Sequence, residues 1–112
     1  MKYTGTWEHR FENITEGTTL ENSLTIYEGS ESVATSSFTG GYFFMGQVLD
    51  SPTITAGMVA STSGDMWDVK VAVDETINPF EYAYYSVMMN NGEDVYEVKS
   101  GLVYIKYKFG GE

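Results

Sequence analysis

Tyr3-Thr4-Gly5-Thr6-Trp7-Glu8-His9-Arg10-Phe11 alternates so regularly that one face of an extended segment collects Tyr3, Trp7, His9 and Phe11 while the other collects Thr4, Thr6, Glu8 and Arg10. The pattern predicts a strand over 3–11. Its apolar face should point inward, which places the single histidine of the chain beside a tryptophan in the interior.

Working outward from this stretch, similar runs recur with turn signals between them, about eight in all. Thr19 to Tyr27 sets Leu20, Leu24 and Ile26 on one face, with Asn22 as the odd polar member of that row. Glu28-Gly29-Ser30-Glu31 reads as a tight hairpin in which Gly29 supplies a positive φ. Ser32 to Thr39 is a run of small and hydroxyl residues. After Gly40-Gly41, Tyr42 to Leu49 is apolar on both faces, as expected of a strand covered on both sides or placed at an oligomer contact. Asp50-Ser51-Pro52 turns the chain into a strand over Thr53 to Ser61. Ser63-Gly64-Asp65 turns it again into Met66 to Val73, where Trp67, Val69, Val71 and Val73 share a face. Asp74 to Pro79 is the least regular segment, a candidate lid. Phe80 to Met89 reads as a strand, favoured over a helix by its tyrosines. Asn90-Asn91-Gly92-Glu93-Asp94 is a strong hairpin signal, and Val95 to Phe109 follows with a bend at Gly101. No amphipathic helix, repeat or linker is visible. The expectation is a single all-β domain over 1–112, an antiparallel β-barrel of about eight strands, with a two-sheet β-sandwich as the alternative.

Gly5-Thr6-Trp7 resembles the G-x-W element that opens the calycin group of small barrels, the lipocalins and avidin-like proteins. That resemblance implies a tryptophan, Trp7, plugging the closed end of a barrel against a cation from the last strand, Lys106 or Lys108, and a cup for a small, largely apolar ligand. The chain is shorter than a typical lipocalin and shows no carboxy-terminal helix.

Composition bounds the function. Sixteen acids against six bases give a net charge of −10, which argues against direct nucleic-acid binding, since phosphate recognition depends on Lys and Arg. The absence of cysteine excludes disulfides, thiolate metal sites and a cysteine nucleophile. The chain opens without the apolar run of a signal peptide and contains no run of about 18 apolar residues. A soluble cytoplasmic protein with no membrane span is expected, with a secreted mature form as the alternative. Hydrophobic content of 42%, with 15% aromatic, is that of a folded domain despite the charge.

The candidate ligand-binding residues are Trp7, His9, Trp67, Tyr82, Tyr84 and Met88, aromatic walls with polar handles, an adaptable thioether and one group that titrates near neutrality. The acid pairs Asp65 with Asp68, Asp74 with Glu75, and Glu93 with Asp94 lack the spacing of a calcium loop. No metal site, cofactor or catalytic residue is expected. The leading expectation is a non-enzymatic barrel that binds a small hydrophobic or aromatic ligand. The alternatives are an acidic protein-interaction module, such as a viral or mobile-element inhibitor, and a cofactor-independent barrel cyclase or isomerase using Tyr84 and His9. Tyr42, Phe43, Phe44 and Met45 together suggest a homo-oligomer. The interior discriminates among these: an empty lumen favours ligand binding or catalysis, and a packed one favours docking through an exposed apolar patch rimmed by acids.

Overall fold

The computed structural model describes residues 3–11, 13–15, 17–47, 52–73 and 82–106. The expected lid at 74–79, the turn residues Asp50 and Ser51, and Lys108 lie outside them. Within them the chain is 67% strand and 3% helix, which makes it all-β. The strands are β1 (Tyr3–Trp7), β2 (Asn13–Thr15), β3 (Thr19–Glu28), β4 (Glu31–Ser32), β5 (Gly40–Gly46), β6 (Ile54–Gly57), β7 (Val59–Ala60), β8 (Trp67–Ala72), β9 (Tyr82–Asn90) and β10 (Val95–Lys106). They form two curled sheets that together make a half-barrel in a two-sheet arrangement. The first sheet has the order β1-β3-β8-β7, with β4 also on β3, and the second has β2-β10-β9-β5-β6. Every pairing is antiparallel except that of β2 with β10.

Two expected strands do not run whole within one sheet. The stretch 3–11 forms β1 only as far as Trp7, and the chain then crosses over to become β2 in the other sheet. Asn22 makes this crossing possible. Its buried amide accepts from the His9 and Ser23 N–H groups (3.1 and 2.8 Å) and donates to the His9 carbonyl (3.0 Å), replacing the ladder bonds that β1 gives up. A buried backbone leaving a sheet has to find such partners. The run 53–61 likewise splits into β6 and β7 around the buried Met58, whose N–H donates to the Gly41 carbonyl (2.9 Å). Residues 32–39, expected as a strand, give β4 and a single 3-10 turn, Thr35–Ser37. Both hairpin signals hold, with φ of 66° at Gly29 and 100° at Gly92. The Asn91 side chain accepts from the Glu93 and Asp94 N–H groups to close the second of these turns.

The space between the sheets is filled by side chains. Leu24 and Ile26 of β3, Val69 of β8, Phe43 and Met45 of β5, Val87 and Met89 of β9, and Val103 and Ile105 of β10 are almost wholly withdrawn from water. With no disulfide to staple the sheets, aromatic packing joins them at both ends of β1. Tyr3 meets Phe38 and Tyr96 edge-on, with ring centroids 5.1 and 4.9 Å away. Trp7 packs against Phe11 (4.9 Å) and Phe43 (6.3 Å) and donates its Nε1 hydrogen to the Tyr85 hydroxyl (3.2 Å). Between these two anchors Gly5 leaves room for Leu24, because a Cβ there would lie 2.9 Å from Leu24 Cδ1.

Candidate functional site

The packing just described removes three of the sequence-derived candidates from any binding role in a lumen. Trp7 is half-buried in the aromatic cluster between the sheets. Trp67, directly beside Leu24 in the ladder, is a core residue, and its buried Nε1 has no hydrogen-bond partner among the described residues. His9, expected inward, points outward with 73% of its side chain exposed and Nε2 3.4 Å from Glu8 Oε1. The alternation that predicted it inward ends where the strand ends, because the Asn22 clamp turns the chain before the period reaches position 9. His9 lines a polar groove with Glu21, Asn22, Asp68 and Lys70 on the first sheet's side, whereas Tyr84 lies on the outside of the second sheet. The pairing of Tyr84 with His9 that a barrel isomerase would need is therefore absent.

The other three candidates do share a surface. In β9 the inward row is Ala83, Tyr85, Val87 and Met89, so Tyr82, Tyr84, Ser86 and Met88 form the outward row. β5 contributes Tyr42 and Phe44 outward, while Phe43 and Met45 are core. Only alternate members of the expected oligomer contact are thus available to a partner. β10 adds Val95, Glu97, Ser100, Leu102 and Tyr104; a bulge between Glu97 and Lys99 shifts the register so that Ser100 faces outward. Of the large apolar side chains exposed among the described residues, Tyr42, Tyr82, Tyr84, Val95 and Leu102 lie on this face, and Val59 alone lies elsewhere.

The face is not flat. A groove of about 680 Å³ runs between β5, β9 and β10, walled by Phe44, Tyr84, Met88 and Leu102 and floored by Ser86, Ser100 and Gly101. The floor follows from register: Ser86 stands opposite Ser100 on one side and Phe44 on the other, so small residues meet where the neighbouring rows are large. Glu97 sits at the lip, its Oε2 accepting from Ser86 Oγ (2.7 Å). A second groove of about 670 Å³ continues across Phe44 and Met88 toward Tyr42, Asn90 and Val95. The β9–β10 hairpin, which joins Asn90 to Val95, carries the exposed acids Glu93 and Asp94. Behind the face, burial raises the Tyr85 phenol above its ordinary 10.0, an effect the hydrogen bond from Trp7 partly offsets.

Lys106, one of the two cations expected against Trp7, is exposed at the end of β10. Among the described residues no group of three or more His, Cys, Asp or Glu is placed to hold a metal ion, and no helix is long and apolar enough to cross a membrane. Sequence reasoning missed Ser86, Ser100 and Glu97. The signal for Ser86 was present, a single small residue in the outward row Tyr82, Tyr84, Ser86, Met88, but Glu97 joins the row of Ser100 and Leu102 only through the bulge.

Among known proteins, the chain is similar to one from the solved structure described as "Structural basis of T cell specificity and activation by the bacterial superantigen toxic shock syndrome toxin-1". The two share 8% identity and a TM-score of 0.55 over 92% of this chain and 98% of that one, a likeness of fold alone. No family model matches the sequence, and no curated protein matches it.

Proposed function

We propose that the protein is a non-catalytic interaction module that docks a partner protein through the outer face of β10, β9 and β5. One observation carries this reading: among the described residues, five of the six exposed large apolar side chains collect on a single sheet face while the interior behind it is filled. Scattered apolar residues need no explanation, but a contiguous patch bordered by polar groups marks an interaction site. Its composition is that of an interface centre, rich in tyrosine and methionine and poor in charge. The outer face of β5, β9 and β10 presents roughly 450 Å² of projected area, a little over half of the ~800 Å² that each partner contributes to a standard interface.

A photo-crosslinking phenylalanine analogue placed at position 84 or at position 6, each in turn, tests the reading in the cells that make the protein. Crosslinks to a discrete partner from position 84 and none from position 6 are expected, with the adduct lost on Tyr42→Lys. Equal yields at the two positions would remove the preference for this face. A second reading, a small apolar ligand held in the same groove, is favoured by the groove's volume, which is within the range of ~300–1,000 Å³ usual for such sites. It predicts a co-purifying small molecule in the native mass spectrum.

A further inference from the structure

The groove beside Ser86 differs from the rest of the docking face in one respect, a carboxylate on the lip of a pit with apolar walls and serines in its floor. On the assumption that the face docks a protein, we infer that the partner is basic and inserts an arginine or lysine side chain here. The long methylene stem would lie against Leu102, Met88 and Tyr84, and the charged head would reach Glu97 beside the ring of Phe44.

Three observations converge on this chemistry. First, the pit has the amphipathic character of such a side chain, which buries an apolar stem while its head seeks a charge. Its walls are apolar along their length, and Glu97 Oε2 is held over the floor by Ser86 Oγ at 2.7 Å. A carboxylate oriented in this way accepts charge-assisted hydrogen bonds, and aromatic faces within reach add cation–π attraction. Second, Glu97 is the one charged side chain among the described residues that line the groove; Lys99, half-buried at the bulge, and Lys106, at the far end of β10, are not part of the lining. The groove therefore has a local negative charge with no cation in its lining. Third, the whole chain carries −10, so its field draws basic partners toward it and opposes the approach of a second copy.

The test uses the full chain, isotopically labelled for backbone amide NMR, titrated to millimolar concentration with two acetylated, amidated pentapeptides. One has arginine at the centre of Ala and Leu neighbours; the other has citrulline, a neutral isostere, in its place. The arginine peptide is expected to shift the amides of Ser86, Glu97 and Ser100 and to bind about tenfold tighter than the citrulline peptide. Glu97→Gln should erase that difference while leaving the amide spectrum of the core unchanged, and raising the salt from 50 to 300 mM should weaken only the arginine peptide. Equal affinities for the two peptides, shifts elsewhere on the surface, or no shifts at millimolar peptide would each overturn the inference. The same holds for a concentration-dependent dimer in sedimentation that Tyr84→Lys abolishes, which would make the occupant a second copy. In each of these cases the docking reading is still decided separately by the crosslinks from position 84.

Discussion

The outer faces of the two sheets follow the same rule of alternation and are filled with opposite chemistry. On the first sheet the outward row of β3 is Thr19, Glu21, Ser23, Thr25 and Tyr27, beside Asp68 and Lys70 of β8. These side chains satisfy one another: Ser23 Oγ donates to Asp68 Oδ1 at 2.7 Å, and Lys70 Nζ lies 3.7 Å from Glu21 Oε1. On the second sheet the same positions hold Tyr42, Phe44, Tyr82, Tyr84, Met88 and Leu102, where Tyr42 packs on Phe44 with ring centroids 6.0 Å apart and Tyr82 on Tyr104 at 5.6 Å. The inward rows explain the fold equally well on both sides. What the difference teaches is that the aromatic outer row is not a requirement of folding, since the first sheet folds with threonine and charge in its place.

The sharpest way to break this comparison is to exchange inside for outside on one strand. Phe43→Ala should cost about 3–5 kcal/mol, the range for a fully buried ring, whereas Phe44→Ala one position on should cost about 1 kcal/mol or less. Chemical denaturation measures both, and equal losses would mean that the outer face is itself core.

Next in size is a pair of neighbouring glycines at the start of β5. A Cβ on Gly41 would run into Met89 Sδ and stand 2.5 Å from the Met88 carbonyl oxygen, while at Gly40 nothing lies within 4 Å. Gly41→Ala should therefore lose about 1–3 kcal/mol by overpacking, and Gly40→Ala should stay within about 0.5 kcal/mol of the parent. A silent Gly41→Ala would contradict the close approach of β9 to β5.

Tyr85→Phe removes the hydroxyl that accepts from Trp7 and should cost about 1 kcal/mol at neutral pH. It also carries a pH signature. Because burial raises the folded-state pKa of Tyr85 above 10.0, the folded state holds that proton more tightly than the unfolded chain. The corresponding stability is complete below pH 10 and is lost as pH rises through the folded pKa. Melting curves from pH 8 to 11 should fall less steeply in Tyr85→Phe than in the parent, and identical slopes would assign the alkaline loss to other tyrosines.

The smallest effect belongs to the polar face. Lys70→Ala breaks an exposed pair and should change stability by no more than about 0.5 kcal/mol. Tyr84→Lys on the other sheet should be similarly mild in melting yet abolish crosslinking from position 42. Parallel behaviour of these two variants in both assays would erase the functional contrast between the faces.

The strands and turns were legible because their signals are local. Alternation put Trp67 and Val69 in one row of β8 and Leu24 and Ile26 in one row of β3, the rows that the structure buries, and Asn91-Gly92 announced its hairpin. The candidate site was legible only in part. Tyr82, Tyr84 and Met88 fall together on one face of β9 in sequence and structure alike, but that face is open to solvent rather than the lining of a lumen, because alternation separates two rows without saying which one is covered. His9 was misplaced because Asn22, noticed as an anomaly in its row, ends the first strand through a contact 13 positions away in sequence.

By itself, then, the sequence determined the all-β class, the turns and the division of each strand into two rows, since a two-residue period and a turn's φ requirement depend only on neighbours along the chain. Only the tertiary structure decided which strands lie side by side, that 3–11 leaves its sheet after Trp7 while 53–61 splits between sheets, and that rows from β5, β9 and β10 converge on a groove with Glu97 at its lip. Lateral pairing is set by the shared burial of inward rows from distant segments, and a side chain's neighbours across a sheet have no signature in the order of residues along one strand.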